Sequence, residues 1–213
     1  MGTNLASHLR LMLVTDDVLL DGRDVVDVAR RAVAGGVTSV QLRLKQAAPR
    51  DLVRLARLLR AALPVPVLVN DRPDVAAAAG CGVHLGPDDL PVPLARSLLP
   101  AGTLIGTSVG TEAELLRALA EEGADYWGIG PWRVTATKAD AGAAIGAEGF
   151  ARIVARAGGR PCVAIGSVRP EDVAAVVGAG GCGVAVVSGI LAQADVETAA
   201  RRYAEALAAS GLR

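Results

Sequence analysis

Eight short runs rich in Val, Ile and Leu, separated by amphipathic stretches so that strand follows strand every ~20 to 30 residues, have the pattern of repeated βα units. The runs end in polar residues, as in Val67-Leu68-Val69-Asn70-Asp71, and a strand buried on both faces can carry such groups only where it emerges. No Gly-rich dinucleotide fingerprint follows the first run, because Leu13-Val14-Thr15-Asp16 leads into Asp17. These observations predict an α/β fold, a closed (β/α)8 TIM barrel, as a single domain over residues 1–213. In such a barrel the active site lies at the carboxyl ends of the strands.

The elements follow in order. A first strand is expected over 10–15, then a helix from Asp24 to Ala34 that Gly35-Gly36 brings to an end. A second strand, 38–44, precedes a helix from Pro49 to Ala62, with Pro49 in its first turn and Leu52, Leu55, Ala56 and Leu59 at 3.6-residue spacing. Strands at 65–70 and 82–85 are followed by a helix beginning near Pro91 or Pro93, and a fifth strand is expected at 103–107. Thr111 and Glu114 form a capping box for a helix reaching Glu122, with Gly123 after it. A sixth strand, 125–130, leads into the longest link, 132–145, which is rich in Ala, Gly and Thr and is expected to be a mobile active-site loop. Strands at 161–165 and 183–188 flank a helix from Pro170 to Val177.

Composition narrows the function. Lys+Arg and Asp+Glu are equal at 22 each, so no global field draws the chain to nucleic acid or to an anionic membrane. Two Trp, two Tyr and one Phe leave little to stack bases on. Cys81, Cys162 and Cys182 are odd in number and widely spaced, which fits buried thiols better than disulfides or a zinc site. No apolar stretch reaches the roughly 18 residues of a membrane span, and Leu11 to Val14 is too short for a signal-peptide core, so a cytoplasmic protein is expected. Homo-oligomer formation is left open.

The strand ends carry the chemistry. Alternation puts Gln41, Arg43 and Lys45 on one inward face, where two cations repel each other unless an anion lies between them. A phosphate or pyrophosphate suits that place, against the plainer alternative of ion pairs with acidic neighbours. Asp71 and the Asp88-Asp89 pair sit at the ends of adjacent strands, where carboxylates can share a hard cation such as Mg²⁺. Taken alone, Asp88-Asp89 would read as a helix cap. Thr135, Thr137 and Lys138 give the long link two hydroxyls and an ammonium, a grip for a second anion, and Ser108 adds a hydroxyl at the fifth strand. Gly166-Ser167 and Val187-Ser188-Gly189 end the last two strands, where barrels bind phosphate through backbone N–H groups. His84, between Val83 and Leu85, is expected to be a hydrogen-bonded core histidine, and His8 lies near a loose terminus. A mouth rich in cations and poor in bases suits a reaction driven by stabilising a leaving anion.

Gln41-Leu42-Arg43-x-Lys45, Asn70-Asp71, Gly82-Val83-His84-Leu85-Gly86 with Asp89, Ser108, Gly128-x-Gly130-Pro131 before Thr135-x-Thr137-Lys138, Ala164-Ile165-Gly166 and Val187-Ser188 occur in order from about Leu13 to Ile190. As an ordered set they resemble the thiamine phosphate synthase family. The resemblance implies a transferase that joins 4-amino-2-methyl-5-hydroxymethylpyrimidine diphosphate to a thiazole phosphate, or to its carboxylated form, and releases pyrophosphate. It implies that Gln41, Arg43, Lys45 and Asn70 hold the diphosphate, that Asp71 and Asp89 bind Mg²⁺, and that Ser108 contacts the pyrimidine. Thr135, Thr137 and Lys138 would close over the reactants, with Lys138 on the pyrophosphate. Gly166, Ser167, Val187 and Ser188 would cradle the thiazole phosphate. Lys138, Arg43 and Ser108 are thus the expected catalytic groups.

The chain departs from the family pattern in places. Leu44 stands where Glu is usual, Trp132-Arg133-Val134 replaces apolar residues and Pro, Ser167 takes the place of a second glycine, and Val109-Gly110 lies where a histidine is often near. Leu44 faces outward by alternation, Ser167 would crowd the phosphate or add a donor to it, and Arg133 would add charge to the loop. A thiazole tautomerase of the same fold would need a base and no Mg²⁺. A non-catalytic thiamine phosphate sensor would have no use for the aspartate pair.

Overall fold

In the computed structural model, which describes residues 2–134 and 143–212 and side chains from Leu5 onward, the strands close into one parallel barrel in sequence order, β1 to β8, as expected. The order is α1 (Gly2–His8), β1 (Leu11–Val14), α2 (Asp17–Leu20), α3 (Val25–Ala34), β2 (Ser39–Leu42), α4 (Pro49–Ala62), β3 (Val67–Asn70) and α5 (Pro73–Ala79). Then come β4 (Gly82–Leu85), α6 (Val92–Leu98), β5 (Ile105–Val109), α7 (Glu112–Ala120), β6 (Tyr126–Ile129) and α8 (Gly146–Ala155). The chain ends with β7 (Cys162–Ala164), a 3₁₀ turn (Pro170–Asp172), α9 (Val173–Gly178), β8 (Gly183–Val186), α10 (Ser188–Leu191) and α11 (Val196–Ala209). No described helix is long and apolar enough to cross a membrane.

Alternation divides the core in two. Leu11 and Leu13 of β1, Val67 and Val69 of β3, and Val184 and Val186 of β8 pack outward against the helices. Met12, Leu68, Tyr126, Val163 and Ala185, one position out of phase, fill the barrel with Leu9. Each strand is buried on both faces, so it has no polar side to mark its limits, and the apolar runs overshoot the ladders. The first strand is therefore 11–14 rather than 10–15, and the second 39–42 rather than 38–44. The fifth moves to 105–109 because Ser108 and Val109 pair with Gly128 and Ile129.

Helix starts follow their side chains. Asp24 accepts from Val26 and Asp27 N–H at the head of α3, Pro49 opens α4, and Thr111 with Glu114 forms the expected capping box on α7. The stretch after Pro170 begins as a 3₁₀ turn, where the Asp172 carboxylate folds back onto Arg169 N–H at 2.9 Å. The amino-terminal stretch from Leu5 onward is not loose: Leu5 and Leu9 pack into the barrel's lower end, and the His8 carbonyl accepts from the Thr38 hydroxyl at 3.0 Å. Cys81 and Cys162 are buried free thiols and Cys182 is a half-buried one. Burial pushes the Cys162 thiol up to about 12 and the Cys182 thiol up to about 11, so both stay protonated and inert.

Candidate active site

A cavity of about 570 Å³ opens at the carboxyl ends of the strands, and every candidate residue named above that falls among the described residues lines it. From β2 and β3 come Gln41, Arg43, Lys45, Asn70 and Asp71; from β4 and β5, Asp89 and Ser108; from β7 and β8, Gly166, Ser167, Val187 and Ser188. Thr135, Thr137 and Lys138, and with them most of the 132–145 loop, lie outside the described residues. The roots of that loop are tied together, with Ile145 N–H donating to Pro131 O at 2.9 Å and Gly146 N–H to Trp132 O at 3.2 Å.

Gln41 and Asn70 emerge side by side from paired strands, and the Gln41 amide donates to Asn70 Oδ1 at 2.6 Å. Arg43 and Lys45 lie beyond the last ladder residue, Leu42, so strand alternation does not orient them. The loop after β1 does so instead. Thr15 Oγ1 accepts from Arg43 N–H at 2.8 Å, Asp16 Oδ2 accepts from the Arg43 guanidinium at 2.8 Å, and Asp17 Oδ2 accepts from Lys45 N–H at 2.7 Å. Arg43 is therefore not an unpaired cation awaiting an anion. Its side chain and that of Asp16 are 14% and 13% exposed, a pair that aims the guanidinium while leaving other donors open. Lys45 is exposed at the rim rather than buried on an inward face.

Asp71 ends β3 with φ +64, a left-handed turn fixed by its N–H donating to His84 O at 2.8 Å. Its acid is pushed up to about 6: burial is the main cause, then a hydrogen bond with the Asp89 carboxyl and the negative charge of Asp89, with Lys45 and Arg43 pulling the other way. The two carboxylates therefore meet. Neither Asp88 nor Asp89 caps the following helix, since Pro91 occupies the cap position of α6, no side chain caps it, and the Val92 N–H donates to Glu121. Asp89 Oδ2 accepts instead from Gly86 N–H at 2.6 Å, which holds it over the cavity. Among the described residues no group of three or more His, Cys, Asp or Glu side chains is placed to hold a metal. Two adjacent carboxyl groups, one of them with its acid raised by burial and by the other, suit a hard cation that takes its remaining oxygens from water and phosphate.

His84 is a hydrogen-bonded core histidine, as expected, but it also reaches the cavity. Nδ1 lies 2.8 Å from the Tyr126 hydroxyl and Nε2 lies 3.0 Å from Ser108 Oγ. Across the mouth the chemistry becomes that of the backbone. Gly166 has φ +94 and Ser167 has φ +52, and neither N–H finds a backbone acceptor among the described residues. The left-handed conformation explains why a glycine would be usual at 167, and the serine side chain occupies that turn under strain. Arg133 does not add free charge to the loop. Its guanidinium makes two bonds to the Asp172 carboxylate, one of them Nε to Oδ2 at 3.1 Å, and its N–H donates to Gly166 O at 3.0 Å. Leu44 packs against the outer core, in keeping with an outward residue.

Residues 11–190 match the family model described as thiamine monophosphate synthase. The thiamine-phosphate synthase of Methanoculleus marisnigri is 45% identical over 204 residues, covering 94% of this chain and 96% of that protein. That of Azorhizobium caulinodans is 48% identical over 197 residues, covering 91% and 92%. Among solved structures, a thiamine phosphate pyrophosphorylase from Pyrococcus furiosus superposes with a TM-score of 0.85 at 33% identity, covering 97% of this chain and 99% of that one.

Proposed function

This chain belongs to the thiamine monophosphate synthase family, and on that premise we propose how its cavity does the family's work. It is a transferase of thiamine biosynthesis that couples the pyrimidine diphosphate to the thiazole phosphate. In our reading Arg43, Lys45, Gln41 and Asn70 receive the diphosphate, and Asp71 and Asp89 hold a Mg²⁺ ion beside it. When bound, that ion supplies neutralising charge to the diphosphate oxygens.

The bond from the pyrimidine methylene carbon to the diphosphate oxygen breaks with its electron pair leaving on pyrophosphate. The thiazole nitrogen then supplies a pair to the cationic methylene. No proton has to be removed for either event, which fits a cavity whose one histidine is hydrogen-bonded through both ring nitrogens. Arg43, aimed by Asp16, lowers the barrier by meeting charge that grows on the leaving group. Ser108 orients the pyrimidine. The N–H groups of Gly166 and Ser167, with the turn at Val187-Ser188, take the thiazole phosphate. By the family resemblance Lys138 joins the pyrophosphate while Thr135 and Thr137 cover the thiazole side.

The observation that carries this reading is that two cations, Arg43 and Lys45, and two carboxylates, Asp71 and Asp89, line one rim of the cavity. Purified protein given both precursors should form thiamine phosphate with Mg²⁺ and lose that activity in chelator. Thiazole isomerisation without metal, or ligand binding with no product, would overturn it.

A further inference from the structure

We propose that Tyr126 is a positioning residue: by fixing the tautomer of His84 it makes the Ser108 hydroxyl a hydrogen-bond donor to the pyrimidine substrate. Its choice of Ser108's ligand rests on the function proposed above. The three residues form a line across β4, β5 and β6, running from a phenol that is 0% exposed, through the His84 ring, to a hydroxyl on the cavity wall.

Two missing side chains make room for that line. A Cβ on Gly106 would lie 2.2 Å from the Tyr126 ring, and one on Gly128 would lie 2.9 Å from His84 Cε1. Both positions are on paired strands, with His84 beside Gly106, Gly106 beside Tyr126, and Ser108 beside Gly128. The glycines let two rings sit with centroids 5.5 Å apart inside the barrel.

The direction of the hydrogen bonds follows from the buried end. Burial holds the Tyr126 phenol in its protonated form, and among the described residues its one hydrogen-bond partner is His84 Nδ1. A buried donor left unmade is costly, so the phenol O–H donates to Nδ1. A neutral imidazole with an accepting Nδ1 carries its proton on Nε2. Nε2–H then donates to Ser108 Oγ, and the serine's own proton is left to point into the cavity. In the other tautomer Ser108 would spend its proton on Nε2 and offer the ligand only a lone pair. Tyr126 therefore selects for a ring nitrogen of the pyrimidine, an acceptor, at the Ser108 contact.

The chain has only two histidines, His8 and His84, so ¹⁵N NMR of the imidazoles reads this directly, with His8→Gln removing the second set of signals. The intact protein should show His84 with Nε2 protonated; protonation on Nδ1 overturns the proposal without any further variant. Tyr126→Phe should mix the two tautomers. It should also raise KM for the pyrimidine diphosphate about five- to tenfold, the worth of one neutral hydrogen bond, and leave KM for the thiazole phosphate unchanged. In a Ser108→Ala background the same substitution should add nothing. An unmoved tautomer in Tyr126→Phe, or equal losses with and without Ser108, would refute the positioning role. A moved tautomer with both KM values unchanged would instead remove Ser108 from the pyrimidine site and the proposal with it.

Discussion

Strands β2 to β5 and strands β6 to β8 face the same cavity with different chemistry. The first group and the loops behind it present side chains, namely Gln41, Arg43, Lys45, Asn70, Asp71, Asp89, His84 and Ser108. The second presents mainly main chain, at Gly128, Gly130, Gly166 and Gly189, with two serines. A diphosphate with a cation carries charge that changes during the reaction and is met by groups that can be charged and aimed. A phosphate that only anchors a substrate can be held by fixed N–H dipoles. Among the described residues each half of the rim is therefore suited to one substrate, with Lys138, after β6, crossing to the pyrophosphate in our reading, and substitutions at described positions should separate by half.

The largest break is expected at the aspartate pair. Asp71→Ala should lower kcat with Mg²⁺ by about a thousandfold, a loss on the scale of removing a main stabiliser of developing charge. KM for the thiazole phosphate should barely move, and an enzyme that keeps normal Mg²⁺-dependent turnover would break the division. Next is the Arg43 support. Asp16→Ala leaves a mostly buried guanidinium without its carboxylate and should cost ~2 kcal/mol in denaturant unfolding. Its kinetic mark should be a lowered kcat together with a raised KM for the pyrimidine diphosphate, with KM for the thiazole phosphate unchanged.

On the main-chain side, Ser167→Gly should stabilise the fold by about 1 kcal/mol, since a non-glycine residue at φ +52 is strained. It should change KM for the thiazole phosphate and leave the pyrimidine side as it was; an effect on the diphosphate alone would break the comparison. The smallest effect is a slope in pH. Because the folded acid at Asp71 sits near 6 and the ordinary aspartate value is 3.8, the metal-free folded state binds the extra proton between those values. Stability should fall as pH rises from about 4 to about 6, by less than about 1 kcal/mol once solvent screening is allowed for. Asp89→Asn should make that slope shallower without removing it, because the burial of Asp71 remains, and unfolding curves in chelator at several pH values would show it.

The side-chain half was largely legible in the sequence, because a carboxylate or guanidinium at the end of an apolar run has few other reasons to be there. The legibility had limits. The ladder of β2 stops at Leu42, so alternation gave no orientation for Arg43 or Lys45, and it is Thr15, Asp16 and Asp17 from the neighbouring loop that place them. Those three residues follow the first apolar run in plain view, but nothing local says which strand they serve. Likewise Arg133, read as loop charge, is bonded to Asp172, 39 residues further along. On the main-chain half the signals among the described residues are glycines and serines, which are as common in ordinary turns.

By itself the sequence determined the number of βα units, their closure into one barrel, and the residue types that collect at its rim, because burial on both faces forces apolar runs whose polar ends must share one side. Only the tertiary structure decided that Asp71 meets Asp89, that Asp16 aims Arg43, and that Tyr126 and His84 stand behind Ser108. Each of those depends on which strand neighbours which and on where a ladder ends, and hydrogen-bond partners across strands are set by register and twist, which no local run of residues carries.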